Sequence, residues 1–207
     1  MASDCPYLEE VFNRLSSELP PVRQYHSVFH TRDEVLPAAR QLAGIIGIDG
    51  SRSDLLLAAA AFHDMGYMNG PDAGHEERSI KIAEQTLPAY GYTPQQMATI
   101  ASIIRSTIWP QQPRNLVEQI MADADLAPLG APWETFLARS RNLWAEIEAV
   151  DGEPISEEAW YQGQIEFLSA HSYFTQAAAA LWDGHKAQNI ANLQAELEAR
   201  KASNRSG

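Results

Sequence analysis

The 207-residue sequence is poor in cysteine and in basic residues, and it has no long hydrophobic run. Its single cysteine, Cys5, excludes an intramolecular disulfide and fits a reducing compartment. Only 15 Lys and Arg residues stand against 27 Asp and Glu residues, and the net charge of −12 argues against binding to duplex nucleic acid. No apolar run reaches the ~18 residues of a membrane span, and the N-terminus has no signal-peptide pattern. These absences predict a cytoplasmic protein that does not bind membranes.

The residues that are present predict a single globular domain built of helices. Hydrophobic residues make up 45% and charged residues 20% of the chain, which is ordinary for a folded protein. We find no alternating strand pattern, whereas Pro, Gly and capping residues divide the chain into helical blocks. The predicted fold class is therefore all-α, with helices at 7–19, from His30, 54–65, from His75, from Pro94, 115–129, 132–149, 156–183 and 187–201.

Three helix boundaries have specific sequence signals. Thr31 and Glu34 match a capping box at the second helix, and Thr93 and Gln96 match one at the fifth. Gly66 is placed to end the third helix as the residue after its C-cap. We expect that third helix, rich in alanine, to be buried on nearly all sides.

The order of motifs suggests three parts within one bundle. We expect residues 1–21 to form an N-terminal helix, residues 22–130 to form the core of the bundle, and residues 131–207 to add C-terminal helices that pack on that core. No internal repeat and no domain-scale linker separates these parts.

Histidines and aspartates recur at the ends of three separate apolar helices. His30 precedes the second helix, the pair His63-Asp64 follows the run AAAAF, and Asp123 and Asp125 lie in MADADL. Imidazole and carboxylate together suit divalent ions such as Zn, Mn, Fe, Co or Mg. A buried cation would also explain why carboxylates follow such apolar segments, because unpaired charges are costly to bury.

Helical geometry does not choose between the two aspartates of MADADL. At about 100° per residue, Asp123 and Asp125 lie on opposite flanks of the apolar arc of this helix. Either carboxylate could therefore be the one that faces the metal.

The order H…HD…D resembles the HD-domain superfamily of metal-dependent phosphohydrolases, and the local strings agree. His30 with the following Thr and Val35, the string His63-Asp64-Met65-Gly66, and Ala124-Asp125-Leu126 are similar to the family's ligand motifs. The segments GHEERS, PQQPRNLVEQIMADADLAPLG and EEAWYQGQIEFLSAHSYFTQAA resemble one branch of predicted phosphohydrolases. The resemblance implies an all-α bundle around one or two divalent metals that activate a water against a phosphate ester.

This resemblance also implies roles for individual residues. His30, His63, Asp64 and Asp125 would ligate the metal, and His63 and Asp64 would be catalytic, with Asp64 also aligning the water. It favours Asp125 over Asp123, which would then be an acceptor for a ligand imidazole or a surface group.

Three further residues flank these motifs without a settled role. His26 is interpreted as a structural or supporting residue, and His75 as a ligand of a second metal, a phosphate contact or a packing residue. Glu76 could orient a water or a ligand histidine, although an acidic residue in a first helical turn needs no function. The family's dinuclear members have more histidines between the HD pair and the last Asp, so we expect one metal, drawn from Mn, Mg, Co, Ni, Zn or Fe.

The expected partner is a small phosphorylated substrate, with a nucleotide or another phosphomonoester ahead of a cyclic nucleotide. Arg105, Arg114 and Lys81 are the candidates for binding its phosphate. The aromatic residues of the C-terminal half could stack a base, but core packing is favoured. The alternatives are a metal- or nucleotide-binding sensor without turnover and a di-iron oxygenase, and the chain could form a homo-oligomer.

Overall fold

A computed structural model describes residues 5–205, and among these it contains helices and loops but no strand. The expected all-α fold is confirmed, and none of the described helices is long and apolar enough to cross a membrane. The α-helices are α1 (Leu8–Glu18), α2 (Leu36–Ile46), α3 (Gly50–Phe62), α4 (His75–Thr86), α5 (Pro94–Arg105), α6 (Leu116–Asp125), α7 (Trp133–Asp151), α8 (Glu157–Ala170) and α9 (Gln176–Arg205). A π-helical segment, His30–Val35, leads into α2, and 3₁₀ turns span Met65–Met68, Leu87–Tyr90 and Ala127–Gly130.

Helix α3 lies at the centre of the bundle and packs against α1, α2, α4, α5 and α6. Every residue from Leu56 to Phe62 is buried, as the alanine-rich sequence predicts. Alanine side chains are small enough for neighbouring backbones to approach closely, so the C-terminal end of α3 is enclosed on all sides. This places the residues that follow Phe62 in the middle of the protein.

Two hydrophobic clusters fill the interior of the described chain. The larger one joins α1 to α6 and includes Tyr173 and Ala178 near the start of α9. The smaller one is formed by α7, α8 and the later part of α9, with Trp160, Leu168 and Leu193 at its centre. The division of the chain at residues 21 and 130 stays a prediction.

Two predicted helix starts are confirmed by their caps. Thr93 and Gln96 form the complete capping box at α5. Asn115 caps α6, where its side chain accepts hydrogen bonds from the backbone of Val117 and Glu118.

The capping box predicted at Thr31 and Glu34 is wrong. The backbone is already helical at Phe29, so Thr31 lies inside the π-helical segment, and its buried hydroxyl has no hydrogen-bond partner among the described residues. Glu34 instead turns toward the imidazole of His30.

The predicted boundaries of the third helix are also wrong. Helix α3 begins at Gly50 and ends at Phe62, before the HD pair, and Gly66 belongs to the 3₁₀ turn that follows. Gly66 is needed there because a Cβ atom would lie 1.9 Å from the carbonyl oxygen of His75. Its role is a close approach between the turn and the start of α4 rather than a helix end.

The C-terminal helices break at a different place from the one predicted. The chain leaves helix at residues 171–175 and then runs through Asp183–Lys186 without interruption. The carboxylate of Asp123 stabilises the break between α8 and α9, because it accepts hydrogen bonds from the backbone N–H groups of Phe174 and Thr175 just before α9. Helix α6 likewise ends at Asp125 rather than near Leu129, since Pro128 cannot donate the next helical hydrogen bond.

Replacing Gly66 with Ala tests the close approach. Because the added Cβ meets backbone rather than a flexible side chain, we expect Gly66→Ala to lower the free energy of unfolding by about 1–3 kcal/mol. Urea unfolding followed by circular dichroism measures the change. Gly163→Ala is the matched control, because nothing lies near a Cβ at that helical position and alanine should stabilise α8 by about 0.5–1 kcal/mol. Equal stability of Gly66→Ala and the wild type would contradict this account.

Candidate metal centre

The HD pair lies in a tight turn between α3 and α4. Ser79 of α4, which is fully buried, fixes this turn: its hydroxyl donates to the carbonyl oxygen of His63 at 2.5 Å and accepts from the backbone N–H of Gly66 at 2.8 Å. The turn holds His63 and Asp64 against the end of the central helix, with both side chains buried.

Three elements bring four side chains to one point. The π-helical segment supplies His30, the turn supplies His63 and Asp64, and the last residue of α6 supplies Asp125. The Nε2 atoms of His30 and His63 lie 3.2 and 3.3 Å from Oδ1 of Asp125. Oδ2 of Asp64 lies 3.2 Å from Nε2 of His63 and 3.8 Å from Nε2 of His30. His30, His63 and Asp125 are positioned to hold a metal ion.

Hydrogen bonds at the far side of each imidazole set its orientation. Nδ1 of His63 lies 2.9 Å from the carbonyl oxygen of Ala60, and Nδ1 of His30 lies 2.9 Å from Oε2 of Glu34. Because both partners are acceptors, each Nδ1 carries a proton, so a metal would bind at each Nε2 in place of the proton there.

The charges at the centre stabilise one another against the penalty of burial. Burial alone would lower the pKa of His63, because it disfavours the charged imidazolium. The nearby carboxylates of Asp64 and Asp125 have the larger effect and raise this pKa well above its ordinary value. The pKa of His30 is raised in the same way, with Glu34 contributing. Burial would raise the pKa values of Asp64 and Asp125, yet the two histidines hold both below the ordinary range. The carboxylates are therefore ionised at neutral pH.

Two buried atoms indicate that the residues fit a metal ion. Nε2 of His63 and Oδ2 of Asp64 have no hydrogen-bond partner among the described residues, although they lie near each other. A buried polar atom without a partner is costly, and a shared cation would satisfy both atoms at once. The donor set of imidazole nitrogens and carboxylate oxygens is suited to a divalent ion.

Glu34 supports His30, a role that the sequence interpretation missed by assigning it to a helix cap. Its Oε1 forms an ion pair with Nε of Arg139 at 2.9 Å, and Arg139 also donates to the carbonyl oxygen of Tyr25 at 2.8 Å. The i, i+4 spacing of His30 and Glu34 was the available signal. Nothing in the sequence pointed to Arg139, which comes from α7.

Beside the centre, His26 and His75 stack on the two faces of Tyr67, with ring centroids 4.4 and 4.0 Å away. Glu146 of α7 fixes His26, since Oε1 lies 2.6 Å from Nδ1 and Oε2 accepts from the His26 backbone at 3.0 Å. Burial would raise the pKa of Glu146, but the bonds from His26 and from the Tyr25 backbone lower it to about 2. Sequence reasoning did not single out Tyr67 or Glu146.

His75 begins α4, as predicted, and lies close to the centre without joining the cluster of ligands. Its Nε2 is 3.7 Å from Oδ1 of Asp64, while its Nδ1 donates to the carbonyl oxygen of Asp72 at 3.0 Å. Glu76 is buried beside it, with Oε2 3.5 Å from Nδ1 of His75. Both residues border the centre, and their part in catalysis stays a prediction.

Asp125 rather than Asp123 meets the two histidines. Asp123 is fully buried and faces α9, where Thr175 donates to it from both its backbone and its hydroxyl group. This position corrects both alternatives drawn from the sequence, because the carboxylate contacts neither an imidazole nor solvent. Two residues of one helix thus point to different neighbours.

The predicted phosphate-binding cations lie away from the centre. Arg105 forms an exposed ion pair with Glu77, and Arg105 and Arg114 line a separate pocket of about 90 Å³. Lys81 is exposed on α4. The structure does not bring these three side chains together with the histidines.

A solvent-accessible cavity of about 220 Å³ opens directly onto the metal centre. Asp64 and Asp125 form its floor, and His26, Tyr67 and His75 are among the side chains along its wall. A larger groove of about 540 Å³ lies between α3, α5 and α6, but no histidine lines it. Of these two, the smaller cavity is therefore the one that reaches the candidate metal centre.

Buried histidines and aspartates held at the centre of an all-α bundle define a class of metal-binding helical proteins. Residues 32–126 match the family model of the HD domain, and this match supports membership of the HD-domain superfamily. The matched range contains His63, Asp64 and Asp125 and begins just after His30. Comparison with curated proteins gave no match. The HD domain indicates a family of metal-dependent phosphohydrolases that bind divalent metals, so the resemblance seen in the sequence is confirmed.

Replacing the two aspartates of α6 one at a time should affect different properties of the protein: metal binding for Asp125 and stability for Asp123. We expect Asp125→Asn to weaken binding of a divalent metal by more than the roughly 10–100-fold that loss of a supporting group causes. Asp123→Asn should keep the metal but lower the free energy of unfolding by about 1–3 kcal/mol, because buried donors lose their acceptor. Metal titration and urea unfolding of both variants measure the two effects. Loss of metal in Asp123→Asn alone would contradict the assignment.

Glu34→Gln tests the support of His30. The change removes the charge that holds the Nδ1 proton, so we expect metal affinity to fall about tenfold in competition with a chromophoric chelator. Asp33→Asn is the matched control, since the neighbouring carboxylate is exposed and pairs with Arg32. The account fails if both variants bind metal as tightly as the wild type.

Proposed function

We propose that this protein is a metal-dependent phosphohydrolase that cleaves a small phosphate monoester. The observation that carries the proposal is the convergence of His30, His63 and Asp125 on one point that opens to solvent through a cavity. The unpartnered Nε2 of His63 and Oδ2 of Asp64 support a cation there. Membership of the HD-domain superfamily supports phosphate-ester hydrolysis as the reaction.

In the proposed reaction, His30, His63, Asp64 and Asp125 would hold the metal. When bound there, a divalent ion would supply a lowered pKa for a coordinated water and polarisation of a phosphoryl oxygen. Asp64 orients the attacking water through a hydrogen bond to a carboxylate oxygen, because its lowered pKa keeps it ionised. His75, whose Nε2 lies close to Asp64, lines the same cavity and is placed to contact the phosphate.

The charge of the cavity wall favours a single phosphate group. Among the described residues that line it, no Lys or Arg is present, so the imidazoles of His26 and His75 and the metal would face the anion. A nucleoside monophosphate or another phosphomonoester therefore fits better than a polyphosphate. The same lack of a cationic clamp is the observation that favours the second candidate, a metal-binding sensor without turnover.

The test loads purified protein with Mn, Mg, Co, Ni, Zn or Fe and measures phosphate released from phosphomonoesters and cyclic nucleotides. We expect phosphomonoester hydrolysis that falls on the order of 100-fold or more in Asp64→Ala, because the variant loses a ligand and a water-orienting group. Asp33→Asn, at an exposed ion pair, should retain the wild-type rate.

Other outcomes separate the candidate functions. Tight metal binding without turnover across the substrates would favour the sensor. Two irons per chain with oxygen consumption would favour the oxygenase and overturn the proposal. Failure to bind any divalent metal at micromolar concentration would remove the basis of all three.

A further inference from the structure

Two aromatic side chains line the cavity together with the carboxylates of the centre. Trp109 comes from the segment between α5 and α6, and Phe167 comes from α8. Their ring centroids are 5.0 Å apart, and their planes are inclined by 52°, so the two rings form a corner. Both line the same cavity as Asp64 and Asp125.

Trp109 is the most exposed large hydrophobic residue among the described residues, although its ring contacts Phe167. It is 57% exposed, whereas Trp144 and Trp160 stack on each other inside the smaller hydrophobic cluster. A large apolar surface left open beside a polar centre is typical of a ligand-binding site. The corner therefore offers a free ring face within reach of the metal centre.

The segment that carries Trp109 is tied to the helix that carries Asp125. Gln111 donates from Nε2 to the carbonyl oxygen of Ala122 in α6 at 3.3 Å, and the hydroxyl of Thr107 donates to the carbonyl oxygen of Ile104 at 2.9 Å. Both residues also line the cavity. These bonds hold the segment that carries Trp109 against the ends of α5 and α6.

The remaining lining constrains the ligand further. The carboxylates of Asp64, Glu76 and Asp125 face the cavity, and the described lining includes no Lys or Arg that would bind a second anionic group. The volume of about 220 Å³ lies below the usual range for a drug-sized ligand, which favours one ring over an extended system. The part of the ligand beyond the phosphate should therefore be small and without negative charge.

We propose that Trp109 and Phe167 form a specificity site for the alcohol portion of the substrate, and that this portion carries one planar aromatic ring. The inference rests on the proposed phosphomonoesterase activity and names its substrate class. The ring lies against the indole of Trp109 and the edge of Phe167, while the phosphate faces the metal centre.

The experiment compares benzyl phosphate, cyclohexylmethyl phosphate and ethyl phosphate, whose leaving alcohols are all primary. We expect kcat/KM to be highest for benzyl phosphate, and the ratio of benzyl to ethyl phosphate to fall about tenfold in Trp109→Ala and in Phe167→Leu. Trp109→Phe keeps a ring and should restore most of the ratio. Phe174→Ala, an exposed aromatic outside the cavity, is the control and should leave the ratio unchanged.

A binding measurement separates this inference from the proposed function. Calorimetric titration of the metal-loaded protein with benzylphosphonate and ethylphosphonate should show tighter binding of the benzyl compound, and Trp109→Ala should abolish the difference. If no ester is hydrolysed, the proposed function fails, and this titration alone decides on the aromatic site. Equal affinity for both phosphonates, or equal turnover of benzyl and cyclohexylmethyl phosphate, would overturn the inference.

Discussion

The meeting of two imidazoles and two carboxylates inside an apolar bundle is the constraint on which the rest of the structure depends. Asp64 and Asp125 can remain ionised there only because His30 and His63 lie within about 4 Å of them. The alanines of α3 and the buried hydroxyl of Ser79 serve this arrangement, since they bring the HD turn to the centre and hold it there.

Support for this centre comes from far along the chain. Arg139 and Glu146 of α7 reach back to Glu34 and His26, although α7 lies outside the range matched by the HD-domain model. Arg139 acts through Glu34, which binds the imidazole of His30, and Glu146 acts through His26, which lines the cavity. The helices beyond residue 126 are therefore part of the machinery of the centre, even though the motif residues all precede them.

Apolar periodicity allowed the all-α fold class to be predicted from the sequence. The resemblance to the HD-domain superfamily, rather than periodicity, predicted that His30, His63 and Asp125 would meet. Predictions from local sequence patterns were wrong or undecided where a side chain contacts a residue that is distant in the sequence. Thr31 and Glu34 fit the sequence pattern of a capping box, but in the structure the carboxylate of Glu34 binds His30 and Arg139 instead. Helical angle leaves Asp123 and Asp125 equivalent, and in the structure Asp123 differs because it binds the start of α9, which the local sequence does not reveal.

The bonds between Asp123 and the start of α9 bear on the order in which the protein is completed during synthesis. Phe174 follows Asp123 by 51 residues, so the carboxylate lacks these hydrogen-bond donors until that later segment has left the ribosome. A buried, unpaired carboxylate is costly, and the end of α6 should stay hydrated until then. Asp125 lies at that same end, which makes assembly of the metal centre a late event that waits for the C-terminal helices.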